Sequence, residues 1–231
     1  MIRSLTLLFA LATISCKGQE STKFETMKVA IFLYDGVELL DFSGPGEVFQ
    51  STMVERDGER RAPFEVFTVA VSKEILTSQK FLEIKPDYSI EDCPQPDILV
   101  LPGGSTGASL RNPKVIEWIR KLAPELEVAM SVCTGAFLLG EAGLLDGLQV
   151  TTYHTYIGDL QQKYPSAQVL GDKRFIDNGN VLTTAGVSAG IDGALQVVSR
   201  LYGLETALNT ARYMEYDKWT PEEGLVVSPG H

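Results

Sequence analysis

The sequence predicts an α/β fold, a single domain in which a mostly parallel sheet is sandwiched between helices. Three observations predict it. From residue 28 onward, short β-branched runs alternate with stretches of helical period, the mark of strand-helix crossovers. The 231 residues suffice for one core, and no repeat or low-complexity tract divides them. Finally, an apolar run at 128–132 stops at Cys133 and a helix-like pattern follows at once with Phe137, Leu138 and Leu139.

Residues 29–34 read as the first strand. A loop and helix follow over 41–53, opening at Gly44-Pro45, because proline suits a first helical turn. Residues 55–61 mix both charge signs around Gly58 and read as a solvated loop. The second strand is expected at 64–71, a hairpin at 76–84 and a strand at 98–101. A helix over 113–122 places Val115, Ile116, Ile119 and Leu122 on one side. Beyond the 128–132 strand come a helix through Leu145, a strand at 150–152 and a helix at 156–164. Residues 175–184 read as two strands turned at Asn178-Gly179. Ser188 is expected to cap a helix through Leu201, and a last helix covers 205–216.

The 20 basic against 30 acidic residues give a net charge of −10, and no basic cluster could neutralise a phosphate backbone, so nucleic-acid binding is disfavoured. At the N-terminus Arg3, the apolar stretch 5–14 and the small Ser15 before Cys16 form a targeting segment, too short to span a bilayer permanently. A cysteine after a small residue resembles the bacterial lipobox, although Thr13 stands where leucine is usual. A lipoprotein lipidated at Cys16 is favoured over a simple secreted protein, and an uncleaved anchor ranks third. The expected organisation is a signal peptide over 1–15, a polar tether over 16–26, the domain over 27–219 and a C-terminal tail over 220–231. The chain would then be exported, to the periplasm or a membrane-anchored state, touching membrane through lipid only. Cys93 precedes one strand and Cys133 follows its neighbour, a strand length of roughly 16 Å apart, so no disulfide is expected between them.

Loops at the carboxyl ends of parallel strands build the ligand crevice. Cys133 there, beside small Thr134, Gly135 and Ala136, has a helix N-terminus aimed at its sulfur, which favours thiolate. Locally, a packed core cysteine is almost as good a reading. Gly103-Gly104 after the 98–101 strand could form an anion nest serving as an oxyanion hole with the Thr134 N–H, or be an ordinary turn. Asp41, crowded by Leu39, Leu40 and Phe42, is either a carboxyl with a raised pKa that handles protons or a helix-capping aspartate. Tyr153 and His154 end another strand on this edge; His154 is a nucleophile's partner or a structural hydrogen bonder, and which of the two faces inward stays open. No His, Cys, Asp and Glu cluster has metal-ligand spacing, and no phosphate-cradling glycine loop occurs, so no cofactor is expected.

Together the segments 35–41 with Gly44-Pro45, Cys93-Pro94, 97–104, 131–135, 143–147, Thr151-Thr152 and 189–192 resemble the ThiJ/PfpI superfamily. The resemblance covers roughly residues 27–219 and is nearest to the branch holding isonitrile hydratase and the sensor domains of AraC-type regulators. It implies a flavodoxin-like, class I glutamine amidotransferase-like fold with a nucleophile-elbow cysteine, and commonly a homodimer. By position it implies Cys133 as nucleophile, Asp41 in place of the superfamily's glutamate near the thiol, and Thr134 as a threonine the hydratase needs. It implies a small-molecule substrate and a cysteine-dependent lyase without cofactor, adding water to an isonitrile. Where the hydratase pattern has His then Trp, this chain has Tyr153 then His154, so one pocket wall differs. The alternatives are a ligand or redox sensor using an oxidisable Cys133, and glyoxalase or deglycase activity on 2-oxoaldehydes. After Trp219 only twelve residues remain, too few for a helix-turn-helix domain.

Overall fold

A computed structural model of the chain describes residues 25–217 and 219–227. The expected signal peptide, Cys16 and most of the tether lie outside the described residues. Strand β1 (Met27–Phe32) opens the fold and its last four residues are fully enclosed. Helix α1 (Leu39–Ser51) begins earlier than the Gly44-Pro45 signal suggested, and Pro45 sits inside it. The charged stretch expected as a plain loop is a small antiparallel hairpin, β2 (Val54–Arg56) with β3 (Glu59–Arg61), turned at Asp57 and Gly58, both at positive φ. Strand β4 (Phe64–Ala70), the expected hairpin β5 (Leu76–Ser78) with β6 (Leu82–Ile84), and a two-residue edge strand β7 (Tyr88–Ser89) follow.

Strand β8 (Ile98–Leu101) and, beyond the short α2 (Gly107–Leu110), helix α3 (Pro113–Leu122) lie where the apolar pattern places them. The Asn112 side chain caps α3 by accepting from the Lys114 N–H at 3.1 Å, and Pro113 takes the first turn. Strand β9 (Val128–Val132) leads through a 3₁₀ turn, Cys133–Gly135, into α4 (Ala136–Glu141), which stops short of Leu145. Strand β10 (Gln149–Val150) is shorter than expected and pairs apart from the main sheet with β11 (Gln168–Val169), after helix α5 (Ile157–Lys163). Strands β12 (Phe175–Asp177) and β13 (Val181–Thr184) form the expected antiparallel pair. Helix α6 (Ala189–Tyr202) follows without a side-chain cap: the Ser188 hydroxyl instead accepts from Arg174 Nη2 at 3.2 Å. Helix α7 (Leu204–Tyr213) ends three residues early, and the segment expected as a tail contributes β14 (Leu225–Val226), which joins the sheet beside β12.

The main sheet runs β14-β12-β13-β9-β8-β1-β4-β7, parallel throughout except for β12 against β13. Helices α1, α6 and α7 pack on one face, and α2, α3 and α4 group on the other. Both faces are therefore covered, which is why β8 and, apart from Ser131, β9 are apolar without alternation and fully buried. Phe32, Leu99, Leu101, Ile119, Met130 and Leu138 are among the largest fully enclosed side chains, each such burial contributing roughly 1.5–3 kcal/mol. From β1 the chain moves outward to β4 and then returns to the far side of β1 with β8. This reversal opens a crevice at the carboxyl ends of β1, β8 and β9.

Candidate active site

Cys133 ends β9 with φ +57°, a left-handed conformation that costs a non-glycine residue on the order of 1 kcal/mol or more. Contacts on both sides impose it. Its N–H donates to the Ala185 carbonyl at 3.0 Å, and its carbonyl accepts from the enclosed Thr152 hydroxyl at 2.7 Å. The turn also requires a glycine two residues on, since a Cβ at Gly135 would lie 1.9 Å from the Leu101 carbonyl oxygen. The bend presents a thiol that is only 7% exposed.

Asp41 approaches from the first turn of α1 and is wholly buried. Its Oδ2 accepts the Gly103 N–H at 2.9 Å, whereas Oδ1 is enclosed without a hydrogen-bond partner. Burial pushes the carboxyl up to about 7; the Gly103 N–H opposes this, Glu38 adds to it, and the Cys133 thiol and Val187 N–H oppose it more weakly. A buried carboxyl with a raised pKa is therefore present. The expected thiolate is not. Burial and then the charge of Asp41 push the Cys133 thiol up to about 12, and the Thr134 N–H offsets only part of that. A helix terminus supplies too little positive potential to overcome desolvation and a carboxylate at close range.

Gly103 and Gly104 lie beside the thiol turn, but their N–H groups do not converge on an open point. Gly103 N–H is engaged by Asp41, and Gly104 N–H donates to Thr134 Oγ1 at 3.1 Å. The pair thus acts as a bracket that sets the carboxyl and Thr134, leaving the Thr134 N–H as the backbone donor acting on the sulfur. No side chain fits at Gly103: a Cβ would stand 2.7 Å from Thr134 N and Oγ1 and 2.8 Å from Asp41 Oδ2. Gly104, at φ +113°, lets this loop meet Val37 in an isolated bridge.

Of the other two candidates, Tyr153 turns inward. It is half-buried and packs so closely on Gly186 that a Cβ there would lie 2.2 Å from its ring. His154 is exposed in a short 3₁₀ turn, its ring tilted against that of Tyr153 with centroids 4.3 Å apart, and is not among the groups acting on the thiol. Sequence reasoning missed three neighbours. Tyr34 donates to the Pro102 carbonyl at 2.9 Å, and burial together with the charges of Asp41 and Cys133 raises its phenol well above the usual range. Glu38, whose N–H donates to the Gly103 carbonyl at 3.0 Å, raises both reactive groups. The loop after β13 supplies Ala185 to the Cys133 N–H and holds Val187 at φ +54°, a strained position for a β-branched residue. A signal for that loop existed: a strand at 181–184 beside 128–132 must release its loop on the same edge.

Cys93 and Cys133 are both free. Among the described residues no group of three or more His, Cys, Asp or Glu side chains could hold a metal ion, and no helix is long and apolar enough to cross a membrane.

Residues 27–200 match the DJ-1/PfpI family. The chain is 32% identical over 192 residues to the isonitrile hydratase of Pseudomonas putida, covering 82% of this chain and 78% of that one. It is 28% identical over 142 residues to the transcriptional regulator CdhR of Pseudomonas aeruginosa, a match spanning 62% of this chain but 42% of the regulator. Among solved structures, a ThiJ/PfpI family protein from Pseudomonas syringae superposes with a TM-score of 0.74 at 26% identity, covering 92% of this chain and 84% of that one. Drosophila melanogaster DJ-1beta shares the fold, with a TM-score of 0.69 at 20% identity over 82% of this chain and 98% of its own.

Proposed function

The chain belongs to the DJ-1/PfpI family, and within it we propose a cofactor-free, cysteine-dependent hydratase acting on a small electrophile, with an isonitrile as the leading substrate. The observation that carries this reading is a nucleophile-elbow thiol beside a buried carboxyl that titrates at about 7, in a chain 32% identical to an isonitrile hydratase.

With its thiol pushed up to about 12 and its carboxyl at about 7, the pair at neutral pH keeps one proton on sulfur when Asp41 is ionised. Asp41 then serves as general base. It takes the thiol proton while Sγ bonds to the terminal isonitrile carbon, and it returns that proton to the same carbon, giving a thioimidate, R–N=CH–S–Cys133. Water adds to the imine carbon with Asp41 again accepting a proton and nitrogen gaining one. The C–S bond of the resulting adduct then breaks, the sulfur recovers the proton, and R–NH–CHO leaves. The sum is one isonitrile and one water to one N-substituted formamide. The Thr134 N–H steadies the sulfur while it carries charge.

The test is a screen of the purified protein and its Cys133→Ala variant against isonitriles, 2-oxoaldehydes and small amides. Formamide production by the parent and its loss in the variant is expected; hydration that survives in Cys133→Ala would sink the reading. Consumption of methylglyoxal with no isonitrile turnover would move the assignment to glyoxalase chemistry. A redox-sensing role draws less support, because thiolate is the oxidisable form and this thiol rests protonated. Selective oxidation at Cys133 by mild peroxide without any turnover would favour it.

A further inference from the structure

A second concavity lies at the same sheet edge, beside the thiol site and sharing only Tyr34 with the groups described there. It occupies about 230 Å³ at the carboxyl ends of β1 and β4, and its lining includes neither Cys133, Asp41 nor Thr134. Its floor is apolar, with Leu33, Ala70 and Leu76, and Ile75 forms part of the rim while remaining 62% exposed. Among the described residues the charged side chains that line it are Asp35 and Glu74, with no lysine or arginine. Among the described residues neither carboxylate belongs to an ion pair. Asp35 is held in place, since its Oδ1 accepts the Thr77 N–H at 2.8 Å.

The remaining observation is Ser109. It is 95% buried, lines this cavity, and its hydroxyl has no hydrogen-bond partner among the described residues. The hydroxyl oxygen is not among the enclosed unpaired polar atoms, so it opens onto the cavity, where an arriving polar group can pair with it. Two uncompensated carboxylates in a chain of net charge −10 repel an anion and attract a cation. The apolar floor, in turn, rewards a short alkyl tail. At roughly 30 Å³ per water in the liquid, the volume suits a molecule of about five to eight heavy atoms.

We propose that this cavity binds a small organic ammonium ion with a short alkyl chain, its charged head between Asp35 and Glu74 and its tail over Leu33 and Leu76. The assignment is independent of the reaction at Cys133.

The test is calorimetric titration of the full chain at low ionic strength with n-butylammonium, butyrate and butan-1-ol, followed by amide NMR. Saturable binding of n-butylammonium alone is expected, weakened by added salt, with shifts concentrated at residues 33–35, 72–76 and 108–112. The double variant Asp35→Asn, Glu74→Gln should bind at least tenfold more weakly. Asn at position 35 retains the acceptor for Thr77, so thermal stability should hold; the exposed Glu74→Gln change alone should weaken binding about threefold. Equal binding of butyrate or butan-1-ol, absence of saturation, shifts centred on residues 103 and 133, or unchanged affinity in both variants would each overturn the proposal.

Discussion

Asp41 and Cys133 share a buried space that holds one negative charge poorly and two hardly at all. This sets a pH dependence with a definite sign. The carboxyl is raised from 3.8 to about 7 on folding, so its contribution to stability is complete below about pH 4 and is lost as pH rises through 7. Asp41→Asn keeps an acceptor for the Gly103 N–H but removes the buried charge. Denaturant unfolding should find the variant more stable than the parent at pH 8 by on the order of 2–4 kcal/mol, with the gap much smaller at pH 5. A gap that did not change with pH would mean that folding does not raise the carboxyl's pKa. The same ionisation governs turnover. With Asp41 as base, kcat/KM for isonitrile hydration should rise with pH through about 7, and Asp41→Asn should be slower by at least a hundredfold; a flat profile from pH 5 to 9 would exclude Asp41 from that role. Burial of Asp41 was legible from the apolar residues around it. The protonated state of Cys133 was not, because it depends first on burial and then on a carboxylate 92 positions away in sequence, which together outweigh the helix that follows the cysteine.

Elements matter here through their ends. Strand β9 and helix α4 meet at a bend that admits only small neighbours, and the run Thr134-Gly135-Ala136 announced it in the sequence. The bracket loop after β8 was legible as a glycine turn but not as a bracket, since its two N–H groups find acceptors from α1 and from the β9 turn. Gly103→Ala tests the bracket. Its methyl group would press on Thr134 and the Asp41 carboxylate together, and should cost about 1–3 kcal/mol of stability and at least a hundredfold in activity. Retained activity in a folded Gly103→Ala protein would show that the carboxyl position is not critical. Helix starts were the least legible feature. Helix α1 begins five residues before Gly44 because Leu39 and Leu40 continue the turn that the Glu38–Gly103 bond secures, and Pro45 is tolerated within it. The Ser188 cap fails for a different reason: Arg174, held by Asp192, reaches the hydroxyl first.

Across the molecule, two exposed leucines one helical turn apart, Leu204 at 52% and Leu208 at 43%, give α7 an apolar outer stripe. A self-complementary pairing through this stripe would make the homodimer that the family resemblance implies. Light scattering after size exclusion should return twice the mass of one chain, and Leu204→Lys with Leu208→Glu should return one. A parent of single-chain mass at tens of micromolar would refute the pairing. The sequence by itself determined the sandwich, its strands at 98–101 and 128–132 and the corner at Cys133, because each rests on local periodicity or small-residue spacing; Asp41 it left open between a desolvated carboxyl and a helix cap. Only the tertiary structure decided that His154 faces outward, that the glycine donors are engaged, that Tyr34 and the loop at 185–188 surround the thiol, and where the proton resides. Those outcomes depend on contacts such as Gly103 to Asp41, 62 residues apart, and on a local dielectric that exists only once the sheet and helices have closed around the pair.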